Sequence, residues 1–151
     1  IRRRQPALKG PPLMKLLTKE QHESLLTNGR RQEAVRGTED ELDFAPVVKL
    51  FYPAGAATWL LTELDPEDPD IAWGLCDLGM GCAEFGTVRL SELSSFRGRF
   101  GLGIERDIHW TAQGPISAYI AAADEAGRIV DLPRLDPHAQ TDFQRASRRS
   151  Q

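Results

Sequence analysis

Cysteine is scarce in this chain: Cys76 and Cys82 are the only two among 151 residues. That excludes a disulfide scaffold, and a reducing compartment would keep both as thiols. No apolar run approaches the roughly 18 residues that a membrane-spanning helix needs, and Arg2-Arg3-Arg4 is not followed by the apolar core of a signal peptide. The expected location is therefore the cytoplasm. Lysine is thin as well, Lys49 being the only one after Lys19. There is no Gly-x-Ser-x-Gly elbow and no P-loop, and Gly79-Met-Gly81 lacks the third glycine and the helix of a dinucleotide site. Serine hydrolysis and nucleotide hydrolysis are not expected.

What is present is a hydrophobic content of 40%, enough for one globular domain with a core. The net charge of −3 conceals a segregation. Residues 1–36 carry nine basic and three acidic groups, residues 37–96 two and twelve, and residues 97–151 eight and seven. A basic arm and an acidic face on one chain suit a partner-binding role better than uniform phosphate binding, although solvated faces can sort by sign without function.

Ile1 to Leu13, with three arginines, three prolines and no apolar period, reads as a disordered basic arm, and Met14 is a candidate start. Thr18-Lys-Glu-Gln21 has the form of a capping box, so a helix should follow, with Leu25 and Leu26 inward. Asn28-Gly29 offers a left-handed exit, with a further turn or two from Arg30 to Arg36, then an acidic connector from Gly37 to Asp43. Val47 to Phe51 and Ala57 to Glu63 flank Pro53-Ala-Gly55 as a hairpin. Ile71 to Asp77 is a third strand, whose alternation puts Ile71, Trp73, Leu75 and Asp77 on a bulky face and small residues on the other. Phe85 to Leu90 is a fourth, Ser91 caps a turn through Ser95, and Ile104 to Trp110 adds a fifth. A last helix has Pro115 at its start, Ile116, Tyr119, Ile120 and Ala123 on one face, and Gly127 beyond its end. Strands in succession with helices at both ends predict an α+β fold: one domain over residues 14–130, with an antiparallel four- to five-stranded sheet. Residues 131–151 read as a flexible tail containing proline and arginine.

Ala57 to Asp77 is the most distinctive stretch. A Trp-bearing strand runs into Glu63, Asp65, Glu67, Asp68 and Asp70, then into a second strand. These acids supply the hard oxygens that calcium or magnesium prefers. The calcium-loop register fails, however: counted from Asp65, Pro69 falls fifth, no glycine is sixth, and Cys76 stands twelfth in place of glutamate. A rigid acidic connection, solvated or facing a protein partner, is the simpler reading. Asp65, Asp77 and Glu84 remain the candidate metal ligands.

A magnesium-dependent nuclease or hydrolase would draw on Asp77, Glu84, Glu105, Asp107 and His109, with Asp65 nearby. Alternation would put Glu105, Asp107 and His109 on one strand face with Arg106 as the cation, yet a polar face with ordinary ion pairs explains the same pattern. The acid-x-lysine dyad of many nucleases is absent, because Lys49 follows Val47-Val48. Cys76, Cys82, His109 and His138 make a poor zinc set, with Cys-x₅-Cys spacing and histidines 29 residues apart. Cys76 among small strand residues reads as a buried, inert thiol. For nucleic acid, Arg2 to Arg4, Arg30-Arg31, Arg97, Arg99 and Arg145 to Arg149 could meet phosphates while Trp59, Trp73, Phe96 or Trp110 stacked on bases. The two tryptophans in apolar runs belong rather to the core, and a pI near 5.6 is low for a dedicated binder.

Met14 to Gln21 with Asn28-Gly29-Arg30, Val48-Lys-Leu-Phe51, Ala57 to Asp65, Gly74-Leu-Cys-Asp-Leu-Gly79, Glu84-Phe-Gly86 and Gly103-Ile-Glu-Arg-Asp107 together resemble the bacterial domain of unknown function 2958 family. The resemblance covers about residues 14 to 127. It implies a small accessory protein of plasmids and integrative elements, and it brings no catalytic residue set. The expectation is a non-enzymatic accessory or binding protein, contacting an unknown protein through Glu63, Asp65, Glu67, Asp68, Asp70 and the neighbouring Asp77-to-Glu84 loop. No cofactor is expected. The alternatives are the carboxylate-based hydrolase, with magnesium or calcium, and weak nucleic-acid binding through the arginine-rich termini.

Overall fold

The computed structural model describes residues 16–149; the predicted arm at 1–13 and Met14 lie outside them. Buried Leu16 and Leu17 lead into helix α1, Lys19–Glu33, whose capping box forms as expected. Thr18 Oγ1 accepts the Gln21 N–H at 3.1 Å, and Gln21 Oε1 accepts the Thr18 N–H at 3.0 Å. The helix does not leave at Asn28-Gly29. Both residues are buried against the sheet, where Asn28 Nδ2 donates to the Thr62 carbonyl at 2.9 Å. A Cβ at Gly29 would collide with the Leu64 carbonyl oxygen. The pair that looks like a helix stop therefore serves close packing, and tertiary contact overrides the local signal.

Strands β1 (Val48–Phe51) and β2 (Thr58–Leu64) form the hairpin, and β3 (Ile71–Asp77) and β4 (Glu84–Arg89) complete an antiparallel meander. Strand β5 adds Glu105–Arg106 on the far side of β1, giving the order β4-β3-β2-β1-β5. The predicted strand over Ile104 to Trp110 is thus only two residues long. Its ladder ends when Asp107 passes its N–H to the Lys49 carbonyl and captures the His109 N–H with its own carboxylate, an Asx turn. Helix α2 is Leu90–Ser95, and its N-terminus is satisfied from outside: the Ser91 N–H and hydroxyl both go to the Asp70 carboxylate. Ser91 is thus not its cap. Helix α3, Ile116–Ala126, begins after Pro115 and ends at Gly127 in the left-handed region, as the sequence implies. Helix α4, Pro137–Arg149, lies within the segment assigned to the tail.

The sheet separates two cores, in the manner of an α+β domain. On one face Leu25 of α1 and Leu90 and Leu93 of α2 meet Val48, Leu50, Trp59, Leu61, Leu64 and Ala72. On the other, Ile116, Tyr119 and Ala123 of α3 meet Leu60 and Leu75. The small face of β3 works as predicted, since a Cβ at Gly74 would strike the Leu60 carbonyl of β2. One bulge breaks the register: Leu61 pairs with Gly74 but Glu63 pairs with Trp73, leaving Thr62 as the extra residue.

Gly29 separates two physical expectations. Helix propensity alone would make Gly29→Ala stabilising by about 1 kcal/mol. The collision with Leu64 makes it destabilising by about 2–3 kcal/mol instead. Urea denaturation decides the sign, and a midpoint that rises would reject the close packing.

Candidate functional site

The acidic connection between β2 and β3 is largely committed to the fold. Glu63 is buried, with 1% of its side chain exposed, and meets Arg36 at 3.1 Å. Arg36 also lies over the Trp73 ring at 4.3 Å, and Phe85 stacks on Trp73 at 6.3 Å. Burial raises the Glu63 pKa above the usual glutamate range, and the Arg36 charge and hydrogen bond offset only part of that rise. Asp65 Oδ1 accepts the N–H groups of Glu67 and Asp68, closing the turn that Pro66 begins. Asp68 and Asp70 meet Arg89 at 3.3 and 3.5 Å. The Asp70 pKa is lowered, first by its hydrogen bond from the Ser91 hydroxyl. Of the five predicted contact acids, Glu63 is thus inside the protein, three are spent on turns and caps, and Glu67 stands exposed.

The predicted catalytic group divides in the same way. Asp77 is buried at the end of β3, where Oδ1 accepts the Gly79 N–H at 2.8 Å and Oδ2 the Ile129 N–H at 2.9 Å. It ties the strand to the segment after α3. Asp107 shares with it a pocket of about 480 Å³ that also takes in Lys49, Tyr52, Thr58 and Arg128. There the Lys49 ammonium lies 3.9 Å from Asp107 and 3.8 Å from Asp131. His109 instead lines a separate cavity with Trp110, Gln113 and Tyr119, and Glu84 and Glu105 are exposed on strands at opposite edges of the sheet. Glu105, Asp107 and His109 therefore share no strand face. Among the described residues no three His, Cys, Asp or Glu side chains stand where one metal ion could be held. The candidate ligands Asp65, Asp77 and Glu84 lie in a turn, a buried strand end and an exposed edge. Cys76 is half-buried, and its surroundings push its pKa up to about 11, which keeps it an unreactive thiol at neutral pH.

The sequence reading missed Lys49, because its partners Asp107 and Asp131 are remote in the chain and only the fold brings them together. It also missed a second surface. A groove of about 440 Å³ opens on the α1–α2 face of the sheet, floored by Trp59, Cys76, Val88, Leu93 and Ile104 and rimmed by Leu78 and Phe96. Leu78 and Met80 in the β3–β4 loop are 62% and 78% exposed; Phe96, Phe100 and Leu102 after α2 are 45%, 92% and 37% exposed. Phe100 holds φ at 61°, a left-handed backbone that bulky residues avoid. Its loop is braced: the Arg99 N–H donates to the Tyr52 hydroxyl at 2.9 Å, the Gly98 N–H to the Leu102 carbonyl at 2.8 Å, and the Tyr52 and Phe96 rings meet edge-on at 5.3 Å. The one available signal was Arg97-Gly-Arg-Phe-Gly-Leu-Gly103, an aromatic set among three glycines. Of the aromatics considered for base stacking, Trp59 is core, Trp73 is covered by Arg36 and Phe85, and Trp110 packs on Tyr119 at 5.8 Å, leaving Phe96 exposed. Arg2 to Arg4 lie outside the described residues, as do the side chains of Arg148 and Arg149.

Sheet, helices and grooves together define a small single-domain α+β protein without a recognisable catalytic constellation among its described residues. A family model described as "Protein of unknown function (DUF2958)" matches residues 16–130, and the chain belongs to that family. No curated protein and no solved structure matches it. No helix among the described residues is long and apolar enough to cross a membrane.

Two substitutions test the structural roles given to the acids. Arg36→Ala leaves Glu63 buried without its partner and should cost about 2–4 kcal/mol at neutral pH, the lower end reflecting Arg36's partial exposure. A carboxyl whose folded pKa is raised is favoured when protonated, so that cost should shrink as pH falls from neutral towards the usual glutamate range; denaturation at both pH values measures it, and an equal cost at each refutes the assignment. Asp77→Asn replaces one of two acceptor oxygens by a donor facing a backbone N–H. The expected loss is about 1–3 kcal/mol in the denaturation free energy.

Proposed function

We propose that this protein is a non-enzymatic binding domain, an accessory protein in keeping with the mobile-element setting that the family resemblance implies. Its recognition surface is the apolar groove rimmed by Leu78 and Phe96, together with Met80, Phe100 and Leu102, exposed on the two loops that carry that rim. In this reading the Asp77-to-Glu84 loop meets the partner through Leu78 and Met80 rather than through acids, while the carboxylates of residues 63–70 serve mainly the fold. The single observation that carries this reading is Phe100. A phenylalanine held 92% exposed in a left-handed backbone has both solvation and conformation against it. Such a residue persists where the surrounding structure fixes it and a bound partner covers it.

Photo-crosslinking amino acids placed at Leu78, Phe96 or Glu67, in cells of the natural host, test the surface. The expected result is one common adduct from Leu78 and Phe96, identified by mass spectrometry, and none from Glu67. Adding Phe100→Gly should abolish the adduct while changing stability by less than about 1 kcal/mol, since relief of the left-handed strain offsets the added freedom of the unfolded chain. Adducts confined to Glu67 would restore the acidic segment as the contact surface, and their absence everywhere would refute a groove-bound protein partner.

A further inference from the structure

The two edges of the sheet are treated differently. At one end β5 is only two residues long and stops in a turn, which leaves little edge to pair with. At the other, β4 runs for six residues, pairs with β3 through six consecutive positions without a bulge, and contains neither proline nor lysine. These are the devices by which natural sheets protect an edge, and of the charges that also serve, β4 has only Glu84 and Arg89, at its two ends. Its residues are exposed or half-buried along the whole strand.

The hydrogen-bond phase of that edge is fixed by its neighbours. The Leu90 N–H donates to the Asp70 carbonyl at 2.8 Å, and the Asp65 N–H to the Ile71 carbonyl at 2.9 Å. In an antiparallel ladder bonding alternates, so Ala72 and Val88, Gly74 and Gly86, and Cys76 and Glu84 bond to one another between β3 and β4. Phe85, Thr87 and Arg89 therefore direct their backbone N–H and C=O groups outward from the sheet. Their side chains share one face, the face of Trp73 and Leu75.

From this pattern we infer that two copies of the chain pair through β4, joining two five-stranded sheets into one continuous sheet about a two-fold axis at Thr87. An axis normal to the sheet is the only two-fold that sets a strand antiparallel beside its own copy, and it keeps each face on its own side. Residues facing each other must then sum to an even number, so the axis passes a residue, and at the middle of the strand that residue is Gly86 or Thr87. Centring on Thr87 uses all three outward residues: Thr87 meets Thr87 of the second copy, and each Phe85 meets Arg89 of the other. The ring and the aliphatic stem of Arg89 are thus set side by side twice, while the guanidinium stays with Asp68 and Asp70. On the opposite face Val88 of the second copy lies over Gly86, where nothing stands within 4 Å of the position a Cβ would take. Centring on Gly86 gives only two bonded pairs within the strand and sets glycine against glycine. In the Thr87-centred dimer both apolar grooves open on the same face of the joined sheet.

Sedimentation of the full chain tests the pairing. The expected result is a dimer that becomes monomeric on Thr87→Pro, which removes an outward N–H and no bond to β3. Thr87→Lys, which sets two ammonium groups across the axis, should do the same. Circular dichroism shows whether each variant is folded. In a Cys82→Ser background, Thr87→Cys should form an intermolecular disulfide under mild oxidation, since directly opposed residues lie at about 5.5 Å between Cα atoms, within disulfide reach. A monomeric wild-type chain overturns the inference. So does a dimer that survives both Thr87 substitutions in folded protein, since it would use another surface.

Discussion

One extra residue in β2 organises much of this molecule. Because Leu61 and Glu63 face the consecutive residues Gly74 and Trp73, Thr62 falls out of the ladder, and every side chain after it changes face. Without the bulge Glu63 would point into the core that holds Leu25 and Leu64. With it, Leu64 enters that core and Glu63 turns to the side of Trp73, where Arg36 reaches it. The freed Thr62 carbonyl takes the Asn28 amide, and Gly29 then sits against the Leu64 carbonyl. Helix α1 is thus anchored on an irregularity of the sheet. The burial of Glu63 also follows from the bulge, because it directs a carboxylate beneath an arginine that is itself held by an aromatic ring.

The acidic charge of residues 37–96 is likewise largely absorbed by the fold. Asp65, Asp70 and Asp77 each accept backbone N–H groups in turns or at a helix start, and Asp43 receives both the backbone N–H and the hydroxyl of Ser117 at the start of α3. A carboxylate fixed on backbone donors is satisfied without a counter-ion. Segregated charge in this chain therefore reports where turns and helix starts are, more than where a partner lies. The acids look like a site in sequence because they cluster, yet Asp70 and Asp43 serve helix starts 21 and 74 residues further along the chain.

Features of short range were legible in the sequence. The Thr18 capping box, the hairpin about Pro53-Ala-Gly55, the alternation of Ile71 to Asp77, and Pro115 with Gly127 all act within a few residues, and each appears where the local chemistry puts it. What failed was decided by distant contact. Asn28-Gly29 has the composition of a helix exit, but whether the chain leaves there depends on β2 passing beneath it. The strand expected over Ile104 to Trp110 has the right alternation, yet the Asp107 carboxylate takes the His109 N–H, and that competing option cuts the strand to two residues. Lys49 has no acid before it at the spacing a nuclease dyad needs, whereas the fold supplies Asp107 and Asp131 from far along the chain. Alternation over four residues decides a strand better than over seven when an aspartate lies in the middle.

The groove and the open edge share a physical origin in β1. Tyr52 follows that strand, its N–H closing the hairpin on the Ala57 carbonyl at 3.0 Å, and its hydroxyl receives the Arg99 N–H. The hairpin therefore supports the loop that carries Phe100, and the unfavourable backbone there is borne by the most regular part of the sheet. The same strand carries β5, which ends the sheet on that side with two paired residues. Protection is thus concentrated on the β1 side, where the loop must be held rigid. The β4 side receives only the charges at its ends: its inner groups are all used on β3, and Phe85, Thr87 and Arg89 present an ordered row along the edge. Backbone groups so exposed stay hydrated until another strand arrives, and a rigid row loses little conformational freedom when it pairs. A sheet that shortens one edge and leaves the other straight has a built-in direction for growth, and in this protein that direction runs away from the braced loop.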